Sequence, residues 1–456
     1  MASDPDTVGV GSEVGGTRSR IAHGFLWTTG IYATSIGVRF LTSVVLSRLL
    51  APEILGVVVI AQTVRIGADL LGDLGLEQSV IRSEHGDDER FLNTAWTMQL
   101  LRGGILSLAC AMLAPVFARM FGVDVAVMLA IAAAPMLNAL ASTSVFSIAR
   151  RLDIKGRNLF ELMTESIGLV INVALAVAMP TVWAPVLGIL LTVIARSAIT
   201  YLLPRPRHRL LLDKRHARDL IAFGKWVALS SASLYATAYS DRFFLGGLVS
   251  LELLGIFGLA RAIADLPNVL ANRLGYLIIF PVVAADRAST GTVARGHLAP
   301  VRRQFLALAA IGIATGMAWS DHIVALVYDS RYHAAGWMLF LLFSGAWLAV
   351  LSAFNEAVVL GRSRPQAISL ANLFRIGCLI AGLHLGFVWY GLVGAILALT
   401  VAELVRYAIL VTVVHRMKLG FLRDDAAITL GLGIVLAGWI GLRLLLGLGW
   451  PLAAIP

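Results

Sequence analysis

Ten arginines sit inside runs that are otherwise apolar: Arg39, Arg65, Arg102, Arg196, Arg242, Arg261, Arg273, Arg375, Arg406 and Arg443. Acids share these runs, among them Asp69, Asp73, Glu77, Glu165, Asp241, Asp265, Glu356 and Glu403. An arginine at the middle of a bilayer costs about 2.5–3.5 kcal/mol on insertion scales, so ten of them cannot face lipid. They must face carboxylates, one another or a wet cavity. Some spacings supply a partner within one helix. Arg65, Asp69, Asp73 and Glu77 step by four and predict a single stripe. Arg261 and Asp265 also step by four, with Asn268 and Asn272 on the same face, and Glu403 and Arg406 step by three. Glu77, Glu356 and Arg443 fall near the ends of their runs, where a long side chain reaches the interface.

Arg39, Arg102, Arg196 and Arg375 have no acid one turn away. A guanidinium keeps its charge when buried and grips phosphate with paired hydrogen bonds. Such arginines in both halves of the chain predict a cavity for an anionic substrate. The candidate set is Arg39, Arg65, Arg102, Arg196, Arg242, Arg261, Arg273 and Arg375, with Asn268 and Asn272; structural ion pairing is the alternative for each close pair. Asp69, Asp241 and Asp265 are candidates for coupling to an ion. His384, Cys110 and Cys378 read as core residues rather than as a proton relay, a disulfide or metal ligands.

The elements that position these groups follow from composition. The 456 residues are 58% hydrophobic and 14% charged, against about 25% charged in a soluble domain. Mean hydropathy is +0.83. Soluble domains, disorder and a disulfide scaffold are excluded, and the chain reads as an all-α polytopic membrane protein. Residues 1–20 read as a disordered tail, followed by an uncleaved first helix. Thirteen apolar runs are of spanning length: 24–46, 54–81, 92–118, 125–148, 160–179, 183–203, 221–248, 253–284, 304–327, 335–360, 366–387, 391–413 and 426–448. The pair around Pro180 and the last run are the least regular, and Pro115, Pro135, Pro267 and Pro281 fall where they can break helices. Gly382 and Gly386 allow close helix packing.

With the N-terminus inside, twenty-four Lys and Arg fall in inner loops and three, Arg48, Arg119 and Arg331, in outer loops. That asymmetry predicts a cytoplasmic N-terminus. It also accounts for the net charge of +10 without nucleic acid. The basic segment 204–220 divides the chain into halves at 21–203 and 221–415, with 416–456 as an extra C-terminal helix. The halves repeat at an offset of 199 residues: Trp27 with Trp226, Leu46 with Leu245, Glu53-Ile-Leu-Gly56 with Glu252-Leu-Leu-Gly255, and Ala61 with Ala260. Six helices per half make this a parallel repeat. No phosphate-binding loop, zinc motif or extramembrane catalytic segment is present in the sequence, so no enzyme, cofactor or metal is expected.

The order of several short motifs resembles a known family. Leu46-Ser-Arg-Leu-Leu-Ala-Pro-Glu-Ile-Leu-Gly56, Asp73-Leu-Gly-Leu76, Asn93-Thr-Ala-Trp96, Ala114-Pro-Val-Phe-Ala-Arg-Met-Phe-Gly122, Phe223-Gly-Lys-Trp226 and Gly361-Arg-Ser-Arg-Pro365 resemble the polysaccharide flippases of the MOP superfamily, which also holds the MATE antiporters. The resemblance runs from about residue 20 to 415. It implies two six-helix bundles in a V, twelve to fourteen spans, and residence in a bacterial inner membrane. It implies a substrate of undecaprenyl-pyrophosphate-linked oligosaccharide, taken from the membrane lipid and passed to a polymerase and co-polymerase for exopolysaccharide, capsule or O-antigen. A cation-coupled multidrug antiporter of the MATE kind is the alternative.

Overall fold

The computed structural model describes residues 30–456 apart from 32, 152, 204–207, 286–291, 418, 454 and 456. The expected tail 1–20, the start of the first run, and Arg205, Arg207, Arg287 and Lys418 lie outside the described residues. No strand occurs among the described residues. Eight helices are long and apolar enough to cross a membrane, or up to ten if each of two bent pairs is one span. Both of the irregular predictions, around Pro180 and at the C-terminal run, are among the eight. The chain is thus a multi-pass, all-helical membrane protein. It forms two compact units.

The first unit comprises the chain up to Leu49, Ala68–Ala118 and Asp124–Ser230. Its helices are α1 (33–49), the end of α2 (Pro52–Leu71), α3 (Leu76–Arg82), most of α4 (Glu89–Phe121), α5 (Val125–Ala132), α6 (Ala134–Ala139), α7 (Ser144–Arg150), α8 (Ile154–Ala178), α9 (Trp183–Thr200) and the start of α10 (Lys214–Gly246). The predicted run 125–148 is broken and bends by 57° between α6 and α7. Breaking a helix in hydrocarbon frees peptide groups that water cannot reach. Here neighbouring side chains take them up. Gln99 donates to the carbonyls of Ala139 (2.8 Å) and Ala141 (2.9 Å). Ser197 donates to Leu137 and Tyr201 to Leu140. Thr200 accepts the amide of Ser142, and Ser107 accepts that of Met136, beside Pro135.

The interdomain segment predicted as a linker is held down rather than free. Over 208–213 alternate backbone amides donate to α4: Arg209 to Asn93, Leu211 to Thr97 and Asp213 to Thr94. His208 stacks on Trp96 and bonds Ser142. Asp213 then caps α10. Its carboxyl accepts the amides of His216 and Arg215, which hold its pKa below the ordinary value.

The second unit comprises Leu50–Gly67, Arg119–Val123 and Ser231–Pro456. It holds the rest of α2 and α10, α11 (Leu251–Ala264), α12 (Leu266–Leu274), a π-helical turn at Gly275–Ile279, α13 (Phe280–Ala285), α14 (Thr292–Ala318), α15 (Ser320–Val327), α16 (Ala335–Gly361), α17 (Pro365–Arg416) and α18 (Leu422–Leu445). α16 is buried along most of its length and is the centre of this unit, flanked by α11, α12, α14 and α17. α17 would be about 78 Å long if straight, more than two bilayer cores. It instead turns at Tyr390 and Gly391, where Gly391 has φ 57°. Two arms result, matching the predicted runs 366–387 and 391–413. They approach so closely that a Cβ on Gly386 or Gly394 would strike the other's carbonyl.

α18 is pinned at both ends. Near its start Asp425, 1% exposed, pairs with the buried Arg302 and accepts the Tyr407 hydroxyl. Near its end Arg443, 0% exposed, holds Asp321 (2.6 Å) and the Ala318 carbonyl. The snorkelling expected for Arg443 is therefore incorrect, because its side chain is fully buried and Asp321 on α15 pairs with it. Asp425 and Arg443 lie eighteen residues apart, about 27 Å along a helix, close to the ~30 Å of a hydrocarbon core.

The repeat motif Glu-x-Leu-Gly has a physical role. A Cβ on Gly56 would strike the Leu251 carbonyl, and one on Gly255 would strike the Pro52 carbonyl. α2 and α11 thus cross through reciprocal glycines, one from each repeat. Ala61 and Ala260, equivalent in register, are both fully buried. Gly56→Val and Gly255→Val should each destabilise the protein by about 1–3 kcal/mol through overpacking, read as a lowered melting midpoint in detergent. Gly431→Ala, where an added Cβ meets nothing within 4 Å, should leave the midpoint unchanged or raise it.

Candidate functional site

The four-residue stripe expected from Arg65 to Glu77 does not continue along one helix. α2 ends at Leu71, and the chain turns through Gly75 at φ 59° before α3 begins. The Asp73 carboxylate closes this turn by accepting the Gly75 amide at 2.9 Å. A Cβ at Gly75 would press on Val227 at 2.6 Å, and one at Gly224 on the Leu74 carbonyl at 2.6 Å. The turn thus needs glycine both for its backbone angle and for space. Its effect is to aim Asp69, Asp73 and Glu77 at one space from two helices.

That space is a cavity of about 260 Å³ within the first unit. The break between α6 and α7 forms another part of its wall, through Asn138, Ala139, Ala141 and Ser142. Four carboxylates line it (Asp69, Asp73, Glu77 and Glu161), with three guanidiniums (Arg102, Arg157 and Arg196). Arg157 lies between Glu77 (2.6 Å) and Glu161 (3.5 Å). Arg102 donates to the Asp69 carbonyl at 2.5 Å and sits in the field of the Asp69 and Asp73 carboxylates. Asn138 donates to Asp69 at 3.4 Å. Arg196 lies over the Phe160 ring, 5.7 Å from its centroid, and makes no ion pair among the described residues.

The remaining predicted residues are elsewhere. Arg39 is paired with Glu165 at 2.5 Å across α1 and α8. Arg65 donates to Gln62. In the second unit Arg261 reaches Asp265 (3.3 Å) and the buried Asp241 (3.4 Å), and Arg242 reaches Asp265 (3.4 Å). Arg375 is paired with Glu403 at 2.6 Å and donates to the Thr237 carbonyl. Arg406 reaches Glu403 (3.7 Å) and is in contact with Glu356. The two strings act on each other electrostatically, since Glu403 lies in the field of Arg261 and Asp241 in that of Arg375. They tie α10, α11, α16 and both arms of α17 together. Asn272 donates to Asn268 on α12, which also carries the half-buried Arg273.

Three more sequence expectations are corrected here. Arg39 and Arg375 are not unpartnered, because their acids come from other helices that spacing along one helix cannot reveal. Glu77 and Glu356 do not simply reach for the interface, because each pairs with an arginine. His384, expected in the core, is exposed on α17. Spacing also missed three cavity residues. Arg157 falls among the loop cations, Glu161 sits at the very start of the run 160–179 with its arginine, Arg157, in the loop before it, and Gln99 is an ordinary polar residue until the broken helix is seen beside it.

Residues 45–337 match a sequence family described as "Polysaccharide biosynthesis protein". The chain belongs to that family. It is 24% identical over 259 residues to the succinoglycan biosynthesis transport protein ExoT of Rhizobium meliloti, covering 56% of this chain and 52% of ExoT. It is 21% identical over 304 residues to the teichuronic acid biosynthesis protein TuaB of Bacillus subtilis, covering 66% of this chain and 62% of TuaB. The matches thus span between half and two thirds of these relatives. Its fold is that of the lipid II flippase MurJ in an inward closed conformation, with TM-score 0.75, 12% identity, and coverage of 93% and 96% of the two chains. An inward-facing MATE transporter of the MOP superfamily follows with TM-score 0.64, 15% identity, and coverage of 88% and 95%. The sequence thus shows the family, and the fold is one shared with solved membrane transporters.

The family-like motifs coincide with contacts that build the first unit. Asn93-Thr-Ala-Trp96 holds the 208–213 segment, and Asp73-Leu-Gly-Leu76 packs on Phe223-Gly-Lys-Trp226. Arg150 caps the end of α3 through the carbonyls of Val80, Ile81 and Ser83. The buried pairs behave differently from the cavity arginines. Arg375→Met should cost about 3–5 kcal/mol, because Glu403 is left buried without its partner. Arg375→Met with Glu403→Leu should recover most of that loss. Membrane abundance and melting midpoint in detergent check both.

Proposed function

We propose that this protein moves undecaprenyl-pyrophosphate-linked oligosaccharide repeat units across the bacterial inner membrane for surface polysaccharide assembly. It works by alternating access between two six-helix halves, 21–203 and 221–415, arranged in a V. Thirteen spans then run from a cytoplasmic N-terminus, with 416–456 supplying the last. A polymerase and co-polymerase receive the product. The observation that carries this reading is a polar, charged cavity enclosed by broken helices in a chain of this family. The naming of ExoT as a transport protein for a polysaccharide supports it. A pyrophosphate needs cationic partners in a dry interior. Arg102 and Arg196 are the site residues proposed for it, because both line the cavity. Arg242, Arg261 and Arg375 belong to the paired strings, with Asp241 and Asp265 as candidates for ion coupling there and Asp69 in the cavity.

A second reading is an antiporter for small organic cations. The carboxylates of the cavity favour it, since they suit a positively charged ligand. A deletion strain separates the two. Loss of surface polysaccharide with undiminished drug resistance supports the glycan reading, and normal polymer with new drug sensitivity supports the antiporter. Arg196→Ala and Arg102→Ala should each lower polymer export at least tenfold at unchanged membrane abundance. Arg39→Ala should retain most export, because Arg39 lies outside the cavity and its pair is largely exposed. Sugar-polymer yield per cell, with immunoblotting for abundance, reads all three.

A further inference from the structure

Helices α4 and α9 are both long and apolar enough to cross a membrane, and one stretch of chain in the first unit is laid against their neighbouring ends. Just past the end of α9, Tyr201 meets His208 edge to face at 5.7 Å. His208 also stacks on Trp96, near the start of α4, at 5.0 Å. Residues 209–213 then run along the first turns of α4, held through their amides by Asn93, Thr97 and Thr94. The anchorage uses backbone groups, so it leaves side chains outside. Arg209, Leu210, Leu211 and Leu212 are all exposed, and Leu202 beyond α9 is 83% exposed. These residues lie at the ends of two spanning helices, which is the depth of the lipid headgroups.

The start of α10 extends this surface. Helical spacing puts Lys214, Arg218, Ile221 and Lys225 on one stripe, with Arg215, Asp219, Ala222 and Trp226 on the stripe beside it. All eight are exposed. The opposite face holds the buried Leu220 and Gly224, and His216, which meets His85 and Phe91. The turn 83–88, with Glu84, Asp87 and Asp88, therefore meets α10 on its inner face, and Asp87 is already paired with Arg150. None of the outward cations Arg209, Lys214, Arg215, Arg218 and Lys225 makes an ion pair among the described residues. Of the two acids in the segment, Asp213 is occupied by the amides of Arg215 and His216, which leaves Asp219. Lys225 lies over the ring of Trp226 at 5.5 Å, a pairing suited to a membrane interface.

Water alone does not suit a row of outward leucines, and acyl chains alone do not suit five outward cations. The boundary between phosphates and acyl chains suits both. We propose that this surface docks phospholipids of net negative headgroup charge in the adjoining leaflet. Lys214, Arg215 and Arg218 hold the headgroup phosphates, and Leu202, Leu210 and Leu212 enter the acyl layer. This docking goes beyond the transport reading and does not depend on what the protein carries.

The test titrates the full-length protein, purified in a neutral detergent, with phosphatidylglycerol, with phosphatidylethanolamine, and with glycerol phosphate as the same charge without acyl chains. Native mass spectrometry reads binding, and the melting midpoint reads folding. Phosphatidylglycerol should bind at least fivefold more tightly than phosphatidylethanolamine, and glycerol phosphate far more weakly than either. Added salt should narrow the preference, because it screens the exposed charges. Lys214→Gln with Arg215→Gln and Arg218→Gln should reduce the preference to twofold or less. Lys214→Arg with Arg215→Lys and Arg218→Lys should keep it, as should Arg119→Gln, an exposed cation elsewhere. Leu210→Ser with Leu212→Ser should weaken both lipids together. Equal binding of the two lipids by the unaltered protein overturns the proposal, and so does a preference that survives the three glutamines. Glycerol phosphate binding as tightly as phosphatidylglycerol overturns the lipid as occupant. If the triple variant does not fold, the three substitutions are measured singly, and an unchanged preference in all three overturns the assignment of these residues.

Discussion

A charge or a peptide group taken into hydrocarbon must find a partner inside the protein, and this requirement shapes the whole molecule. It governs the buried arginines, which reach carboxylates on other helices and so fasten those helices together. Arg375 with Glu403 joins the arms of α17, Arg302 with Asp425 fastens the start of α18 to α14, and Arg443 with Asp321 fastens its end to α15. It equally governs the backbone. Where the chain breaks at Leu140–Thr143, Gln99, Ser197, Thr200 and Tyr201 replace the lost helical bonds. The structure is irregular only where side chains have been provided to satisfy the irregularity.

The same rule locates function. A broken helix that lines a wet space is tolerated, and one facing lipid is not. The two breaks in the first unit, at Gly72–Gly75 and between α6 and α7, border one cavity. The second unit uses its charges in paired strings, which hold its helices together. The two units thus spend similar residues on different tasks: one encloses a space with its charges, and the other closes its charges on one another.

Much of this was legible in the sequence because it is periodic. Apolar runs of spanning length, the pairs Arg261–Asp265 and Glu403–Arg406, and the glycines of the repeat are written at fixed intervals, and the helices follow them. What depends on contact between distant segments was not legible. Arg39 finds Glu165 across 126 residues, and Arg443 finds Asp321 across 122. Glu161 acquires meaning only through Arg157 and Glu77. The expectation of a cationic cavity failed to anticipate this, since a list of arginines without near neighbours cannot show the acids that tertiary packing delivers. The segment 204–220 was legible as a basic divide between halves, but not its anchorage, since the side chains that hold 209–213, Asn93, Thr94 and Thr97, stand more than a hundred residues earlier.

The central claim is that the enclosed charges serve the passage of a lipid-linked glycan between leaflets. The most direct measurement reconstitutes the purified protein in liposomes with a polyprenyl-pyrophosphate sugar and follows the fraction of that lipid reachable by a membrane-impermeant enzyme added outside. The account predicts that the protein renders the inner-leaflet pool accessible within minutes and that Arg196→Ala, equally abundant and folded, does not. An inner pool that stays protected with the intact protein, or one that Arg196→Ala releases just as fast, would contradict it.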